Sequence, residues 1–196
     1  VALAMKMGMK RGVFSNEAGL GSAPIAAAAA QTKECVRQGL VTMTGTFIDT
    51  IIVCMMTGFS ILVTGANGVE GIEGAQVTAY AFGEGLPWAS GVGSFFLMVC
   101  LAFFAFTTIL GWDYYSERCL EYLVGSYKKG VQMTYKWIYI AAVLIGPFMT
   151  VKAVWTIADI FNGFMAIPNL IALVALSGIV AKETKDYFKR LDEHRL

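Results

Sequence analysis

Phe104-Ala105-Phe106-Thr107-Thr108 sets a backbone carbonyl and two hydroxyls at positions i, i+3 and i+4, one face of any helix that contains them. Oxygen atoms grouped in this way suit a hard cation. The alternative is that both threonines bond back to their own helix, the usual fate of a membrane threonine. Asp49 is the second group with chemical potential. It is the one charge between Gly39 and Thr64, and an ionised carboxylate in such a run is costly unless paired, hydrated or protonated. Three roles are open to it: cation ligand, gate, or a strut bonded to Thr46, Thr50 or a neighbouring helix. Covalent catalysis has little to work with. The only histidine, His194, lies in the polar tail, no GxSxG accompanies Ser15, Ser22 or Ser60, and Cys35, Cys54, Cys100 and Cys119 form no CxxC pair. We therefore read no catalytic residues, no enzyme, and neither a disulfide framework nor a zinc site.

The elements that must hold these groups are membrane helices. Of 196 residues 57% are apolar and only 15% charged, and the charges cluster between long uncharged runs. A helix needs about 20 apolar residues to cross the hydrocarbon core. Gly39 to Thr64, Leu86 to Trp112 and Ile160 to Ala181 qualify, and Trp137 to Trp155 is interrupted only by Lys152, placed for its ammonium to snorkel. The reading is all-α and polytopic, with four spans. Basic residues collect before the first span (Lys6, Lys10, Arg11, Lys33, Arg37), between the second and third, and in the tail, while Gly65 to Gly85 has none. This distribution predicts that both chain ends are cytoplasmic. Asp159, one residue before the last run, reads as its N-cap. Trp88, Trp112, Trp137, Tyr139 and Trp155 read as an interfacial belt.

Between Lys10 and Lys33 stands Arg-Gly-Val-Phe-Ser-Asn-Glu-Ala-Gly-Leu-Gly-Ser-Ala-Pro, then Ile25 and the alanines Ala26 to Ala30. Gly19 and Gly21 permit unusual backbone, Pro24 suits a first helical turn, and Ser22 is placed to cap it. A helix of roughly 8 to 12 residues follows, too short to cross. On spacing alone the segment is either a structured cytoplasmic turn or a gating element.

This run, Arg11 to Pro24, resembles the signature of the alanine or glycine:cation symporter family, carriers similar in fold to the leucine-transporter class. Gln38-Gly39-Leu40, Phe47-Ile48-Asp49-Thr50, Phe106 to Trp112, Ile157-Ala158-Asp159 and Ile167 to Leu170 agree with it. Ala27 departs from it, standing where many members carry histidine.

The resemblance implies the C-terminal inverted repeat of a leucine-transporter-like bundle, in which broken helices hold solute and ion near the bilayer midplane. Residues 1–38 would comprise the end of a preceding membrane helix with the cytoplasmic signature loop and short helix, 39–181 the four-helix membrane region, and 182–196 a cytoplasmic tail. The implied function is sodium-coupled symport of a small neutral amino acid, alanine or glycine, by alternating access; a proton-coupled carrier or a channel or assembly subunit are the alternatives. By the resemblance Phe104 (through its carbonyl), Thr107 and Thr108 are sodium candidates, and the two threonines also face the solute. Asp49 joins the ion-binding candidates. Ser15, Asn16, Glu17, Gly19, Gly21, Ser22 and Pro24 form the signature or gating motif, and residues 65–91 would cover the outer vestibule. Expected partners are the amino acid, Na+ as coupling ion, the lipid bilayer and the missing N-terminal half of the same protein, with no other cofactor and no nucleic acid. The expected location is a bacterial or archaeal inner (cell) membrane.

Overall fold

The computed structural model describes residues 2–87, 90–124 and 129–193. Among the described residues the secondary structure is helical, without strands. The chain divides into two compact units, residues 47–114 and the remainder. Three helices, Cys35–Val63, Gly91–Val124 and Val151–Asp192, are long and apolar enough to cross a membrane. The protein is an all-α, multi-pass membrane protein. Its apolar side chains point outward, with Val63 86% and Val174 77% exposed, as a hydrocarbon solvent favours.

In the larger unit, α1 (Ala2–Asn16) and the short α2 (Ala23–Ala27) precede α3 (Cys35–Phe47). The final helix, α8 (Val151–Asp192), is the strut of this unit. Thr150 caps it, its hydroxyl accepting from the Ala153 N–H at 3.3 Å. Asp159 is therefore not the expected cap. It lies inside α8 and pairs with Lys10 Nζ at 2.5 Å. α1 packs on the same stretch, with Phe14 edge-on to Trp155 at 5.0 Å and the Arg11 guanidinium 3.5 Å above the Trp155 ring. Trp155 thus has partners inside the protein, beyond the belt role expected of it. Far along α8, Arg190 meets Glu34 through two bonds of 2.8 and 2.9 Å.

Those two attachments tie the segment before α3 to widely separated points of α8. Asp159 and Arg190 lie 31 residues apart on α8, about 46 Å of helix, which exceeds a hydrocarbon core of about 30 Å. Lys10 and Arg11 stand by the first, whereas Lys33 and Glu34 stand by the second.

The third expected span is also broken. α7 covers Lys129–Ile145, only 17 residues, and ends in a 3-10 turn at Gly146–Phe148. Pro147 has no N–H to continue the helix, so Trp155 belongs to α8. Glu117 of α6 (Ser90–Val124) holds α7 at its charged end, bonding Lys136 at 2.9 Å and Gln132 at 3.1 Å. α2 is likewise shorter than expected, with 5 residues. The alanine run closes in i+3 bonds, Ala29 N to Ala26 O and Ala30 N to Ala27 O, and the Thr32 hydroxyl then takes the Glu34 N–H.

In the unit 47–114, a π-helical stretch, Ile48–Cys54, leads into α4 (Met55–Val63). The Gly-rich segment expected to be a loop contains a helix, α5 (Ala75–Gly85), which buries Ala81 and Gly83. The Ser94 hydroxyl of α6 donates to the Ala79 carbonyl at 3.1 Å. Trp88 lies outside the described residues. α5 and α6 approach most closely at Gly93, where a Cβ would lie 2.7 Å from the Phe82 carbonyl oxygen. Gly93→Ala should therefore destabilise the protein by about 1–3 kcal/mol, read as a lower melting temperature in detergent. Gly91→Ala, which meets open space, should not; equal behaviour of the two would remove this contact from the packing.

Candidate functional site

The signature segment is a break between two helices, built from local bonds. α1 stops because Asn16 Oδ1 takes the Ala18 N–H at 2.9 Å, a side-chain turn that competes with the helix. Glu17 follows with φ 54°, and Gly19 and Gly21 each have φ 86°. The left-handed region is open to glycine and uncommon for glutamate. The Leu20 N–H reaches the Glu17 carbonyl at 3.1 Å, and the Ile25 N–H reaches the Ser22 carbonyl at 2.9 Å. Pro24 sits in the first turn of α2, as expected.

Ser22 does not cap α2 as expected. Its backbone is already helical, and its hydroxyl donates to Glu17 Oε2 across the break. Ser22 is 1% exposed and Leu20 4%, in a chain where burial is rare. Glu17 therefore has a partner within the motif itself, and the pair closes Glu17 to Ser22 into one loop. Ser15, on the last turn of α1, lies outside that loop.

One contact from elsewhere fixes this loop. Asn169 Nδ2 donates to the Gly19 carbonyl at 2.9 Å. On its other edge, Asn169 Oδ1 would lie 3.0 Å from a Cβ at Gly21, so only glycine fits there without displacement. Asn169 follows Pro168 inside α8 and stands near the middle of the uncharged run Ile160 to Ala181. The motif is thus fastened beside the middle of α8, a helix long and apolar enough to cross a membrane. The signal available in the sequence was a polar side chain in an apolar run, although its partner was not.

The cation candidates lie in the other unit. Thr107 Oγ1 and Thr108 Oγ1 both donate to the Phe104 carbonyl, at 2.9 and 2.8 Å. The three oxygens named from spacing are therefore together on α6, joined by the back-bonds weighed as the alternative. Asp49 occupies the first turn of the π-helical stretch, a helix form found often at functional sites. Ala27, where the resemblance departs, lines a cavity of about 620 Å³ between α2 and α3, with Gln38, Thr42 and Thr46 on the α3 side. Among the described residues no group of three His, Cys, Asp or Glu side chains is placed to hold a metal ion.

A family model described as the sodium:alanine symporter family matches residues 1–195. The chain belongs to that family. Over 97% of its length it is 57% identical to an uncharacterised transporter of Haemophilus influenzae, covering 41% of that protein. It is 48% identical to the sodium/alanine symporter AgcS of Methanococcus maripaludis over 95% of its length, covering 40% of that protein. A probable sodium/glutamine symporter, GlnT of Bacillus subtilis, is 38% identical over 95%, with 38% covered. The chain spans about two fifths of the length of these curated relatives. They are named as transporters and symporters, not enzymes. No solved structure matches it significantly.

The Glu17–Ser22 closure yields a direct test in this symporter-family chain. Ser22→Ala removes the hydroxyl from a buried position and leaves Glu17 without that donor. A loss of about 1–3 kcal/mol is expected, measured as earlier thermal unfolding in detergent than for Ser60→Ala, whose hydroxyl is exposed and bonded to its own helix. Equal stability of the two variants would show that the pair contributes nothing.

Proposed function

We propose that the whole protein is a sodium-coupled symporter of a small neutral amino acid, alanine or glycine, working by alternating access in a cell membrane. The observation that carries this reading is the Glu17–Ser22 break, held by Asn169 beside the middle of α8, in a chain of the sodium:alanine symporter family. Non-helical backbone at membrane depth is tolerated where it is buried in protein or lines a cavity, and carriers use such breaks to hold solutes. On this reading the break faces the amino acid, with the missing N-terminal half completing the site. Phe104, Thr107 and Thr108 are the sodium candidates, joined on α6 by the Phe104 carbonyl, and Asp49 is a further ion candidate. Lys33 and Arg37 share an end of the unit with Lys182, Lys185 and Lys189 through the Glu34–Arg190 pair, which supports a cytoplasmic C-terminus.

Counterflow with full-length protein in liposomes tests the reading. Labelled alanine or glycine should accumulate against unlabelled solute only when sodium is present, and failure with both amino acids would refute it. Within a working carrier, Thr107→Val or Thr108→Val replaces a hydroxyl with a methyl of similar size. The sodium concentration for half-maximal uptake should rise by about tenfold, the equivalent of 1.4 kcal/mol. Unchanged dependence in both variants would leave these threonines as helix back-bonds alone. Asp49→Asn retains shape and one acceptor while removing the charge. It should weaken apparent sodium affinity with little loss of thermal stability, and wild-type sodium dependence in a stable variant would eliminate the ligand role.

A further inference from the structure

Asn169 contacts two residues of the break that are not adjacent. Its amide nitrogen bonds the Gly19 carbonyl, and its oxygen edge lies against Gly21 where a Cβ would sit. Both glycines have φ 86°, a conformation whose persistence depends on what surrounds it. The Gly19 carbonyl has left the helical ladder and takes its donor from a side chain of another helix. The receiving side is restrained too, because Pro168 precedes Asn169 in α8 and fixes its own φ. One planar amide therefore sets the separation of Gly19 and Gly21 and their position relative to α8.

We infer that Asn169 is a positioning residue for transport: it holds the Glu17–Ser22 break in the conformation that receives the solute, acting through Gly19 and Gly21. The inference rests on the symport reading above. Without the amide the break populates several arrangements. Apparent affinity then falls by the fraction that remains competent, while the rate at saturating solute is affected less.

The test compares Asn169→Asp, which keeps the shape but loses the donor, with Asn169→Ala, which loses both, in the full-length carrier reconstituted in liposomes. Ser177→Ala serves as the control on the same helix, since its hydroxyl only bonds back to Val174. With labelled alanine or glycine as probe, both Asn169 variants should raise KM by about three- to tenfold, the order expected for a lost hydrogen bond to a part-buried acceptor. Vmax per reconstituted molecule should change less, Asn169→Gln should recover part of the affinity, and Ser177→Ala should match wild type. Wild-type KM in either Asn169 variant overturns the inference. A fall in Vmax alone, or failure of both variants to reach the membrane, also overturns it by assigning Asn169 to folding or to a later step. Absence of transport by the wild type refutes the symport reading instead, so the two failures are distinguishable.

Discussion

A peptide carbonyl that leaves its helix needs another donor, and the segment from Glu17 to Ser22 leaves its helix beside the uncharged run Ile160 to Ala181 of α8. The segment survives because its polar groups find partners at short range. Asn16 covers the Ala18 N–H, Glu17 covers Leu20 through its carbonyl, and Ser22 covers the Glu17 carboxylate. Local bonds do not reach the Gly19 carbonyl, which takes its donor from Asn169, 150 residues away in sequence. The left-handed glycines, the burial of Leu20 and Ser22, and the absence of a side chain at Gly21 follow from making that contact. α8 must therefore run beside the break, and the remaining attachments serve to hold it there.

These attachments differ in what they contribute. The Lys10–Asp159 and Arg190–Glu34 pairs have side chains that are 25–42% exposed, and partly solvated ion pairs contribute little. They orient the ends of α8 without dominating its stability. Arg11 over Trp155 adds a cation–π contact near the first pair. The amide bond at the middle has the larger consequence, because losing it leaves a part-buried backbone carbonyl without that donor. The charged ends set the register, and the middle sets the conformation.

Hydropathy made three of the spans legible because a membrane helix is defined mainly by length and lack of charge. The fourth failed because a count of apolar residues passes over Gly146 and Pro147, whose backbone chemistry ends α7. The attachments of α1 were hidden for an electrostatic reason. Lys10 and Arg11 count towards a cytoplasmic loop in a charge tally, but Asp159 and Trp155 give them partners within the protein. α5 was hidden by the glycines that flank it, although Ala75 to Phe82 contains no glycine or proline. The oxygen group at Phe104, Thr107 and Thr108 was readable because i, i+3 and i+4 spacing is intrinsic to a helix. The Asn169 contact was not, since it depends on tertiary packing.

The back-bonds at Phe104 and the proposed cation role are compatible on lone-pair grounds. A threonine hydroxyl that donates its single hydrogen to a carbonyl keeps two acceptor lone pairs. The bonds of 2.9 and 2.8 Å from Thr107 and Thr108 direct both hydrogens inward to one carbonyl, which leaves the hydroxyl lone pairs directed away from it. On the proposed sodium role, the bonds that keep the hydroxyls satisfied within the helix would also keep them in place as ligands.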